Sequence, residues 1–92
     1  MTADQHRRAF TSFAAALMAD FDRYVTRAAD DGGAPDLAAD RVGYRQAAVW
    51  VTDDEFDEMV ADLGNVLRGR LDNRPDGLRR RRTVTTVHLP AD

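Results

Sequence analysis

Ninety-two residues suffice for one domain at most, and a chain this short buries only about 60–65% of the surface its unfolded form exposes, so a lone copy is marginal. The composition, 43% hydrophobic and 32% charged, is too apolar for a disordered chain, and the lack of cysteine excludes disulfides, thiolate metal sites and a cysteine nucleophile. The net charge of −3, with all thirteen basic residues Arg, gives no general attraction for DNA; no run approaches the roughly 18 apolar residues of a membrane span, so a cytoplasmic location is expected.

The first element is an amphipathic helix over about residues 4–31. Phe10, Phe13, Ala14, Leu17, Phe21, Tyr24, Val25 and Ala28 recur at steps of three and four, with Asp20, Asp22, Arg23 and Arg27 between them. Thr2 or Asp4 is placed to cap it, and Asp31-Gly32-Gly33 supplies the stop. Residues 32–40, with Pro35 and scattered Asp, form a linker.

Residues 41–51 are rich in β-branched and aromatic side chains, which predicts a strand with Val42, Tyr44, Ala48 and Trp50 on one face. Thr52-Asp53-Asp54-Glu55 is a capping box that starts a second helix over 53–73. Its apolar face is Phe56, Met59, Val60, Leu63, Leu67 and Leu71, flanked by Val66. Acids crowd its first turns and Arg68, Arg70 and Arg74 its last, as the helix dipole favours. Residues 79–89 alternate as a second strand, closed by Pro90. The single domain so read is α+β, in the order helix, strand, helix, strand. Its two amphipathic helices pack on a small sheet that a second copy completes, because two strands leave edges and apolar faces unfinished.

Little of this points to catalysis. The acidic cluster from Asp53 to Glu58 is cap and dipole chemistry, without the turn glycine and alternating ligands of a calcium loop. His6 and His88 stand 82 positions apart and suggest no zinc site, so no cofactor or metal is expected. No phosphate loop, nucleophile elbow or Ser–His–Asp spacing is present. The residues expected at a dimer interface or core are Phe10, Phe13, Leu17, Phe21 and Tyr24 of the first helix, Trp50, and Phe56, Leu63 and Leu67 of the second. Tyr44 and Trp50 are alternative lining for a small hydrophobic ligand. Arg79, Arg80, Arg81 and Arg82 are an alternative contact for nucleic acid or another anion, weighed against edge protection and salt bridging.

The run Val42-Gly43-Tyr44-Arg45-Gln46, then Val49-Trp50-Val51-Thr52-Asp53-Asp54-Glu55, Leu71-Asp72-Asn73-Arg74-Pro75, the four-Arg tract and Thr86-Val87-His88-Leu89-Pro90 resemble the C-terminal portion of actinobacterial ArsR-like regulators with a winged helix-turn-helix. His6-Arg7-Arg8-Ala9-Phe10 through Tyr24 resembles the helix that follows their DNA-binding domain. The resemblance implies a dimerisation and effector-sensing companion domain of a transcription factor, working as a homodimer. The winged helix of such a regulator would precede residue 5, so no DNA-reading residue is carried over and no direct DNA binding is expected of this chain. A fragment, a late-assigned start and a stand-alone relative are the three forms this leaves.

Overall fold

A computed structural model describes residues 1–91. It contains three helices, α1 (Ala3–Asp30), α2 (Leu37–Asp40) and α3 (Asp53–Arg68), in two compact units that divide between Arg45 and Gln46.

In the first unit, α1 runs for 28 residues, about 42 Å. The Thr2 hydroxyl accepts the Gln5 amide at 3.1 Å, and the Gln5 side-chain oxygen accepts the Thr2 amide at 2.7 Å. This reciprocal box satisfies two of the amides a helix start leaves unbonded. The helix ends where Gly32 adopts a φ of 111°, which lets Gly33 donate back to the Ala28 carbonyl at 3.3 Å. Arg7–Asp4 and Arg23–Asp20 are exposed pairs one turn apart and add little.

The segment after α1 folds back on it. Asp36 caps α2 by accepting the Ala39 amide at 3.1 Å. Arg41 closes α2 in the left-handed region, at φ 57°, while its amide and that of Val42 bond the carbonyls of Ala38 and Leu37. The Tyr24 hydroxyl donates to Asp40 Oδ2 at 2.7 Å, and the Tyr44 ring meets Phe21 edge-on with centroids 6.2 Å apart.

In the second unit, α3 begins with the Thr52 box: the hydroxyl accepts the Glu55 amide at 3.1 Å and the Glu55 carboxylate accepts the Thr52 amide at 2.9 Å. It ends at Arg68, and Gly69 to Asp72 continue only as turns. His88 returns to α3, its ring set edge-on to Phe56 at 5.7 Å.

The α+β order is overturned. Residues 41–51 and 79–89 are not strands, and among the described residues there is no strand or sheet for the helices to pack on. The physical reason lies in what a strand requires. Valine, threonine and aromatics favour a pleated, half-buried surface, but the ladder exists only when another backbone pairs with it. Here the first segment begins by closing α2 through Arg41 and Val42 and then crosses from one unit to the other. The second begins with an aspartate turn, in which Asp76 Oδ1 accepts the amides of Leu78 and Arg79 at 2.8 and 2.7 Å.

Among the described residues none is buried. Partial shielding is confined to a few positions in each unit: Ala14, Tyr24, Val25 and Ala28 of α1 with Pro35, Leu37, Asp40 and Val42, and Phe56, Met59, Val60 and Gly64 of α3.

Candidate functional site

The apolar stripe of α1 is the longest continuous feature. Phe10 and Phe13 stack obliquely at 6.1 Å, as do Phe21 and Tyr24. Phe10, Phe13, Leu17 and Phe21 are each still 41–50% exposed. On α3, Phe56 is partly covered by His88, whereas Leu63 and Leu67 remain 41% and 38% exposed. Both stripes therefore have side chains aligned at helical spacing with nothing of their own unit laid over most of them.

Tyr24 is the one interface candidate with a polar tie inside the first unit. Hydrogen bonding to the Asp40 carboxylate, followed by partial desolvation, pushes its phenol up from 10.0 to about 12. The carboxylate accepts the phenol's hydrogen bond and penalises the phenolate that would form beside it. On α3 the shift has the opposite sign: the Thr52 amide and hydroxyl hold the Glu55 carboxyl below its ordinary range. These shifts belong to tertiary and capping bonds rather than to a reaction site.

Tyr44 and Trp50 fall in different units. Tyr44 forms one wall of a solvent-open groove of about 540 Å3 against α1, lined also by Leu17, Met18, Phe21, Val25 and Gly43, with Asp22 at its side. Trp50 is fully exposed. The shared strand face on which the pairing of these two aromatics rested is absent.

The four arginines are not equivalent. Arg79 is taken up locally: its guanidinium donates to the Arg74 carbonyl at 2.9 Å and lies 3.8 Å from Asp76. Arg82 also has an interaction. Arg80 and Arg81 are exposed, and among the described residues neither has a hydrogen bond or ion pair. Two loose guanidiniums on a chain of net charge −3 are a weak footprint for nucleic acid.

Among the described residues no three His, Asp or Glu side chains come together in a way that would hold a metal ion. None of the described helices is long and apolar enough to cross a membrane. What sequence reading missed is α2 and the Tyr24–Asp40 bond. The signal was there in Asp36, an N-cap type three residues before Ala39, but a four-residue helix has no period to detect. No family model matches the chain, and neither a curated protein nor a solved structure is found to be similar to it.

Proposed function

We propose that the chain is a non-catalytic association module of the cytoplasm, and that it dimerises as the regulatory companion of a transcriptional regulator. The observation that carries the association reading is the pairing of two ordered, capped amphipathic helices with the lack of any buried residue among those described. Burial of apolar surface is the main term that offsets chain entropy on folding. Helices of 28 and 16 residues with half-open stripes gain that term only when protein surface covers them. A second copy is the simplest cover, since a two-fold contact uses the same patch twice. The regulatory role rests on the resemblance carried by residues 42–46, 49–55, 71–75, 79–82 and 86–90, with the front segment 6–24.

The test is the mass in solution. Light scattering and sedimentation across a concentration series are expected to give a dimer whose helicity rises with association. A monomer that stays fully helical at every concentration overturns the reading. An in-frame winged-helix coding stretch directly upstream of Met1 is the expected genomic counterpart of the regulatory role.

A further inference from the structure

Helix α3 carries an apolar stripe with opposite charge at its two ends. Asp53, Asp54 and Glu55 occupy its first turn and Arg68 its last. Asp53, Asp57, Gly64 and Arg68 succeed one another at intervals of four, seven and four residues, which is one line along a helix, beside the stripe of Phe56, Val60, Leu63 and Leu67. Among the described residues neither Asp53, Asp57 nor Arg68 has an ion-pair partner. The Arg68 guanidinium donates to Asn65 Oδ1 at 2.5 Å and lies over Gly64, where an added Cβ would come within 3.1 Å of it.

From this we infer that the apolar face of α3 pairs antiparallel with α3 of a second copy, a contact that rests on the association reading and gives it a surface and an orientation. The stripe is symmetric about a point between residues 61 and 62. A two-fold axis there sets Phe56 beside Leu67 of the other copy and Val60 beside its Leu63. In an antiparallel two-fold pair like flanks meet, so the charged line of one helix faces that of the other. Arg68 then falls between Asp53 and Asp57 of the second copy, about 3 Å along the axis from the level of each. In a parallel pair opposite flanks meet, so the charged line of one helix does not face that of the other and Arg68 is not set against Asp53 and Asp57. Gly64, on the same flank, leaves room for the Arg68 side chain to lie along the seam.

The native chain has no cysteine, so a single introduced thiol reports one position. Spin labels on full-length Ala61→Cys and Asp54→Cys variants separate the orientations. Antiparallel pairing offsets the two labels along the axis by about 1.5 Å at position 61 and about 22 Å at position 54, whereas parallel pairing gives no offset at either. A distinctly longer distance at 54 is expected; equal distances overturn the proposal. Arg68→Glu is expected to weaken association on the order of tenfold, since two symmetric pairs turn repulsive. Mixing it with an Asp53→Arg, Asp57→Arg chain is expected to restore association, as a heterodimer. A dimer indifferent to both changes overturns the α3 contact while the association reading stands; a chain monomeric throughout overturns both. Far-UV circular dichroism on each variant, and recovery on mixing, guard against simple loss of the helix.

Discussion

Replacing Thr52 by alanine should unwind α3 from its first turn. The hydroxyl accepts the Glu55 amide at 3.1 Å, and its loss leaves that amide to solvent and releases the Glu55 side chain from its place in the box. A Thr cap of this kind contributes about 1 kcal/mol, a factor of roughly five in the population of the capped helix. In a well-packed protein that sum disappears into a large cooperative stability. In α3, 16 residues long and with no buried side chain, it falls on a helix near the length at which isolated helices are marginal. The change should therefore be visible directly as lower ellipticity at 222 nm and faster amide exchange over 53–57, with Thr52→Ser close to the native chain. Acid should act on the same bond. The Glu55 carboxyl is held below its ordinary range by Thr52, so its contribution is complete above the unfolded-state value and disappears as pH falls through the lower, folded one. Helicity of the native chain should drop in that acid window, and in the Thr52→Ala chain, which keeps the amide of residue 52 but loses the hydroxyl, that dependence should be reduced in part. Equal helicity and an identical acid profile in the Ala and Ser variants would refute the argument.

Three further outcomes follow from single contacts. Tyr24→Phe removes the bond to Asp40 and should speed exchange of the α2 amides while leaving α1 intact; in the native chain that bond contributes below pH 10, and is lost as pH rises through about 12, which an ultraviolet phenolate titration will follow. Gly64→Ala should raise α3 helicity by about 0.8–1 kcal/mol of propensity, because the group in the way is the mobile end of Arg68, read by circular dichroism at low concentration. Duplex DNA should give no salt-sensitive mobility shift with the native chain, and Arg80→Gln with Arg81→Gln should change nothing in that assay.

The two long helices are legible in the sequence because their signals are local. Thr52 and Glu55, and Thr2 and Gln5, meet within one turn whatever the rest of the chain does, and the stripes at steps of three and four need only the helix itself. The segments that pattern as strands are not legible for the complementary reason. The β-branched run from Thr83 to Val87 and the aromatics around Tyr44 describe a surface that suits a sheet, and no backbone pairs with either. The second helix ends before its apolar pattern does: the period continues to Leu71, but the chain turns from Gly69. Of the candidate site residues, the helical apolar ones sit where spacing put them on their own helices. The aromatic pair depended on a shared strand, and the arginine tract on each member being free, which Arg79 is not.

The openness of the chain has a consequence for its lifetime in a cell. With no described residue buried, the segments outside the helices offer little protection against proteolysis, and the helices are exposed each time they fray. If the faces are covered by association as proposed, covered copies would be spared and uncovered ones cleared, so abundance would follow occupancy rather than synthesis alone. On that reading the chain would be short-lived below the concentration at which its faces are covered, and its turnover would slow above it.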